Sequence, residues 1–139
     1  MQPAKIFLIR LLVLTSVAVA FPCLYAQDLS GLPEAFDAGW KGQKVCEVLY
    51  EKGNMRAARC IFPPGIGHEK HFHYPHFGYV LEGGTMRVTD ATGAGEDIQL
   101  TTGQTWSTDE ITVHQGVNIG ATTVSVLMVE TRPEKPGSE

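Results

Sequence analysis

Short apolar runs, each closed by a turn former before it is long enough to make a helix, dominate this 139-residue chain. They run from Val45 to Tyr50, Arg56 to Phe62, Phe77 to Leu81, Thr85 to Thr89, Asp97 to Leu100, Gln104 to Ser107, Thr112 to Asn118 and Thr122 to Thr131. The punctuation between them is Gly53-Asn54, Pro63-Pro64-Gly65, Gly83-Gly84, Asp90-Ala91-Thr92-Gly93, Thr102-Gly103 and Asn118-Ile119-Gly120. About eight strands at this spacing, with no long helical period, predict an all-β antiparallel sandwich or barrel. Between Gly84 and Asp90, Met86 and Val88 alternate with Thr85, Arg87 and Thr89, so that strand has one apolar face. The last run is apolar nearly throughout and reads as buried on both sides.

The size suits one domain at ~100–200 residues per domain. With 43% hydrophobic and 19% charged residues the composition is globular, which excludes wholesale disorder and collagen. A net charge of −4 and a pI near 5.7 leave no broad cationic surface for nucleic-acid phosphates.

Residues 1–26 read as a secretory signal peptide: Lys5 and Arg10 lead into an apolar stretch from Leu11 to Phe21. That stretch is shorter than the ~20 residues of a spanning helix, although an uncleaved anchor is the alternative. Cleavage is expected after Ala20 or Ala26, and Pro22, which ends the apolar helix, favours the second. Losing Lys5 and Arg10 takes the formal charge from −4 to −6. The expected location is periplasmic or secreted, with no membrane span after cleavage.

The remaining chain divides into an N-terminal arm over 27–43, a barrel over 44–132 and a polar, frayed tail over 133–139. In the arm Leu32, Ala35, Phe36 and Trp40 stand at near-helical spacing, so it forms either a short helix or a strap on the body. Cys46 and Cys60 lie in two strands joined around Lys52-Gly53-Asn54. A hairpin centred on Gly53 sets them opposite each other, and an export route permits a disulfide, with two free buried thiols as the other reading.

All five histidines fall in two places: His68, His71, His73 and His76 within nine residues, and His114 alone. Residues i and i+2 of a strand share a face, so His71 and His73 project together, and His114 offers a third imidazole from another strand. Iron, manganese, zinc, nickel and copper all accept imidazole, so ligand type does not select the metal. His68 precedes the expected strand and reads as a rim residue.

The stretch from Gly65 to Gly83, with His71-Phe72-His73, His76 and a closing Gly, resembles the first motif of the cupin family. Gly103, His114 and Asn118 resemble the second, at that motif's spacing. The chain departs from the pattern in three places. His76 stands where the family normally places a Glu ligand, one residue closer to His73 than usual, while Asp109 and Ile111 stand where Pro and Gly are common.

The resemblance implies a double-stranded β-helix, or jelly-roll barrel, with a divalent transition metal on His71, His73, His76 and His114. A three-histidine site with His76 beside it is the alternative. Tyr79, Met86, Trp106 and Met128 are expected in core-like strands near the pocket, and Arg59, Glu69 and Tyr74 are polar candidates close to the motifs. A site without a carboxylate ligand favours anionic oxygen as the further ligand. The function implied is a metal-dependent enzyme of dioxygenase or isomerase/lyase type acting on a small anionic substrate. A non-catalytic module for a sugar, a small acid or a metal is the other reading, a periplasmic metal scavenger a third, and a homodimer is expected. No phosphate loop, Gly-x-Ser-x-Gly turn or Cys-x-x-Cys pair competes.

Overall fold

In the computed structural model, which describes residues 28–134, eleven strands and no helix carry the chain. The expected signal peptide and its cleavage sites, and the last five residues of the tail, lie outside the described residues. Among the described residues no helix is long and apolar enough to cross a membrane.

The strands are β1 (Gly39–Trp40), β2 (Gln43–Lys44), β3 (Cys46–Lys52), β4 (Met55–Phe62), β5 (Gly67–His73), β6 (His76–Glu82), β7 (Gly84–Asp90), β8 (Gly95–Leu100), β9 (Thr105–Thr108), β10 (Thr112–Asn118) and β11 (Val124–Thr131). One sheet runs β5-β10-β7-β8, a second β3-β4-β11-β6-β9, and β1-β2 form a small ribbon. Every pairing between these strands is antiparallel. The two larger sheets face each other as a jelly roll, and alternation decides what each contributes. On β4, Arg56, Ala58, Cys60 and Phe62 point inward and are buried; on β7, Met86 is buried and Arg87 is outside, paired with Asp97 of β8.

Eight apolar runs are legible and eleven strands form: β5 carries histidines in place of apolar residues, so only the His71 and His73 spacing points to it, and the two-residue β1 and β2 have no pattern to read. On β11 the inward Val124, Val126 and Met128 are buried, whereas Leu127 and Val129 are only half-buried on the outer face. Burial on both sides is therefore corrected to one buried face.

The arm is not a helix. Pro33 and Glu34 run beside β5, with the Ala35 and Phe72 amides donating to Phe72 and Pro33 carbonyls at 2.9 and 3.1 Å. Ala35, Phe36 and Ala38 are buried in the core, so the arm packs on its own barrel; full burial of a Phe is worth about 1.5–3 kcal/mol.

Cys46 opposes Cys60, and the two are joined as a disulfide. The hairpin is not centred on Gly53. Lys52 pairs with Met55 across a two-residue turn, Gly53 with φ 59 taking the left-handed first position of a type II′ turn. A bulge between Val48 and Tyr50 then restores the cysteine register.

Candidate metal centre

Two cross-strand pairs face one another across the gap between the sheets. On the first sheet His114 of β10 opposes His71 of β5; on the second, Glu130 of β11 opposes His76 of β6. His73 closes β5, and Tyr74-Pro75 carries the chain from one sheet to the other, so His73 stands between the pairs.

His71, His73 and His114 bring one nitrogen each to within 4.8 Å of one another. His71 Nε2 lies 2.8 Å from His73 Nε2. The opposite nitrogens are held: His71 Nδ1 donates to the Glu69 carbonyl at 2.6 Å, and His73 Nδ1 to Glu130 Oε1 at 2.7 Å. A neutral imidazole has one proton, so this network assigns it to Nδ1 and leaves both Nε2 atoms as lone pairs directed at each other. Two such lone pairs at that distance repel unless a cation lies between them. Nitrogens bound to one ion at ~2.1 Å stand about 3 Å apart when adjacent on an octahedron. The donor set therefore fits a transition metal.

Burial holds these imidazoles in the neutral, metal-ready form. His71 is pushed down to about 2 by burial, with neighbouring histidines adding to the shift. His114 is pushed down to about 4 and His73 well below its ordinary value for the same first reason.

His76 sits apart from that trio, grouped with His73 and Glu130. Its Nδ1 donates to the Tyr74 carbonyl at 2.9 Å, and its Nε2 accepts from Trp106 Nε1 at 3.3 Å. Trp106 stands where it does because Gly78, its partner on β6, has no side chain: a Cβ there would overlap the indole. Gly78 also belongs to the inward column of β6 with His76 and Val80, so the indole fills the room that a longer inward side chain would need.

His68 is not a rim residue. It lies within β5, 5% exposed, its ring 3.8 Å from that of His71, and its Nε2 is buried without a partner. A register shift in the pairing of β5 with β10 puts three steps from His71 to His68 against two from His114 to Gly116, which turns His68 to the inner face.

Glu130 is the residue of this cluster that pattern reading missed. It is fully buried, its Oε2 has no hydrogen-bond partner, and burial pushes its carboxyl up to about 7 against the attraction of Arg56. Arg56 is itself buried and pairs with Glu34 at 3.1 Å and Glu51 at 3.3 Å; Arg132 also pairs with Glu34. One signal was present: Glu130 shares the inward parity of Val124, Val126 and Met128.

The histidines lie at one part of a cavity of about 340 Å³ between the sheets, into which His68, His73, His76, His114, Met86, Trp106 and Met128 all reach. Tyr79, expected with them, is exposed on the outer face. Arg59 is outside too, paired with Glu47, and the Glu69 side chain turns outward to accept from the Lys41 amide at 2.8 Å. Tyr74 contributes through its backbone carbonyl.

Comparisons with known proteins agree with this architecture. The Cupin domain family model matches residues 58–130, just over half of the chain, spanning His68 to Glu130. A cupin-domain protein of Bordetella pertussis Tohama I superposes with a TM-score of 0.59 at 19% identity, covering 73% of this chain and 97% of its own. A conserved double-stranded β-helix protein of Klebsiella pneumoniae gives 0.55 at 17% identity, covering 70% and 83%. An RmlC-like cupin family protein of Methanocaldococcus jannaschii gives 0.53 at 17%, covering 63% and 79%. Likeness at these identities shows the fold. No curated protein matches the chain by sequence. With the two-sheet barrel, the histidine cluster in its interior and the match over 58–130 taken together, the chain belongs to the cupin family.

Proposed function

We propose that this cupin is an exported, metal-dependent enzyme of dioxygenase or isomerase/lyase type that acts on a small anionic substrate. The observation that carries the reading is the pair of capped imidazoles, His71 and His73, whose free nitrogens meet at 2.8 Å with His114 beside them. These three hold a divalent ion such as iron(II), manganese, zinc, nickel or copper. His76 is the fourth donor, which joins by releasing Trp106 Nε1. An ion held only by neutral imidazoles keeps its full charge, and it supplies Lewis acidity and open positions for an anionic oxygen. The chain's own part is to keep the imidazoles neutral, orient His73 through Glu130 and surround the bound molecule with the cavity wall.

The Cys46–Cys60 disulfide supports export, since such bonds persist in oxidising compartments. Pairing as a homodimer is supported by the outer face of the five-stranded sheet. There Phe77, Tyr79 and Leu81 on β6 adjoin Leu127 and Val129 on β11 and Ile61 on β4.

A second reading, a binding module without turnover, is favoured by one observation: among the described residues lining the cavity there is no carboxylate, lysine or arginine to serve as acid or base. Metal analysis of the exported protein tests the proposal, with His114→Ala and His76→Ala measured beside the wild type. One ion per chain, lost in His114→Ala and weakened in His76→Ala, is expected. No metal in the wild type overturns the metal reading. A bound metal and ligand with no turnover across oxidation and isomerisation screens selects the binding module.

A further inference from the structure

Apart from the histidines, the wall of the central cavity is almost wholly hydrocarbon and sulfur. Phe62, Met86, Val88, Ile98, Trp106 and Met128 line it, and among the described residues Gln104, the exposed residue of the lining, is its one polar side chain besides the imidazoles and the indole N–H. That N–H faces His76 Nε2 at 3.3 Å and, once His76 turns to the ion, is a single donor in an otherwise apolar wall.

From this wall we infer that the ligand is a compact monoanion with a hydrocarbon body, an aromatic or branched carboxylate or a comparable enolate, rather than a sugar or sugar acid. The inference rests on the proposed metal site and specifies what enters it. Three features support it. A polyol would bury several hydroxyls against groups that cannot hydrogen-bond them, each such loss costing about 1–3 kcal/mol. With no cationic side chain among the described residues of the lining, a single anionic oxygen at the imidazole cluster is the charge the cavity best accommodates. As for size, an apolar cavity of ~150 Å³ takes benzene, so about 340 Å³ takes a ring with a short chain and one head group.

Calorimetric titration of zinc-loaded and metal-free protein tests this, with 3-phenylpropanoate, acetate and glucuronate as probes and bound zinc quantified in each sample. Zinc-loaded wild type is expected to bind 3-phenylpropanoate at least tenfold more tightly than acetate or glucuronate. Val88→Phe, which fills part of the cavity, is expected to keep its zinc and its acetate affinity while losing that preference. Ile98→Phe is the second filling variant should Val88→Phe fail to fold. Bound zinc with glucuronate held as tightly as 3-phenylpropanoate, or a preference unchanged in a folded filling variant, overturns this inference and leaves the metal site standing. A preference that survives in wild type unable to take up zinc sustains the apolar cavity and overturns the metal reading instead.

Discussion

His73 is fixed from behind by Glu130: Nδ1 stands 2.7 Å from Oε1 of a carboxylate that has no solvent exposure and lies 57 residues away in sequence. A carboxylate in that position sets the tautomer, aims Nε2 at the site and makes the ring a stronger donor. Glu130→Gln keeps the shape and removes the charge, whereas Glu130→Ala removes both.

Metal affinity should therefore fall about tenfold in Glu130→Gln and up to about a hundredfold in Glu130→Ala, the span expected for such supporting groups. Competition against a chelator at neutral pH measures it. Unchanged affinity in both variants would show that His73 does not depend on Glu130.

Acidification should destabilise the metal-free protein. Folded-state pKa values are depressed for His68 and His114, to about 4, for His71, to about 2, and for His73 and His76 as well, with burial the leading cause in each. The unfolded chain therefore takes up protons first as the pH drops below ~6.5, and stability is lost from there downward. Glu130 acts oppositely: its pKa is raised to about 7, so its contribution is present at low pH and lost as the pH rises through 7. Five histidines outweigh one carboxyl, and Tm should drop by about 5 °C or more between pH 7 and 5. A flat Tm over that range, followed by circular dichroism, would contradict the burial of neutral imidazoles.

Gly78 and Trp106 make a similarly direct test. Adding a methyl group at Gly78 drives a Cβ into the indole, so Gly78→Ala should displace Trp106 and cost about 1–3 kcal/mol. The Trp106 to His76 hydrogen bond goes with it, and the tryptophan emission should shift toward red as the ring leaves its half-buried seat. Trp106→Phe in the same background should relieve most of the loss, because the smaller ring leaves room for the methyl. Unaltered stability and emission would mean that the methyl group is accommodated without moving the indole.

What could be read from the sequence was whatever alternation and spacing control directly. The strand runs, the opposition of Cys46 and Cys60 and the shared face of His71 and His73 all follow from a period of two. The rest depends on interruptions of that period or on partners far along the chain. His68 is three residues from His71, so regular alternation sends it outward, and only the register shift in β5 brings it in. The hairpin turn and the Leu49 bulge displace the register by compensating steps, so a turn centre half a residue away still sets Cys46 opposite Cys60. Glu130 looks like the polar end of an apolar strand, and its meaning depends on a pairing with His76 that no local pattern contains. The arm's apolar spacing is the same for a helix and a strap, and the hydrogen bonds of Pro33 and Ala35 to Phe72 of β5, far along the chain, hold it as a strap.

The disulfide gives the last test, and it bears on both folding and the site. Cys46 and Cys60 close a loop with a sequence separation of 14, for which chain entropy predicts about 3 kcal/mol of stabilisation. Cys60 also lies on the cavity wall, 1% exposed, and opposes Val126 of β11, while Cys46 sits in the edge strand β3. Reduction therefore frees the edge strand and loosens one wall together. The Cys46→Ala, Cys60→Ala double variant should lose about 2–4 kcal/mol in denaturant unfolding, with the bond removed in the unfolded chain and a sulfur lost from the core. Metal affinity should change little, because His71, His73 and His114 belong to the opposite sheet. Stability equal to wild type under oxidising conditions would mean that the bond adds nothing to an already paired hairpin. A matching loss of metal would mean instead that the second sheet, through Glu130 and His76, governs the site more strongly than its geometry implies.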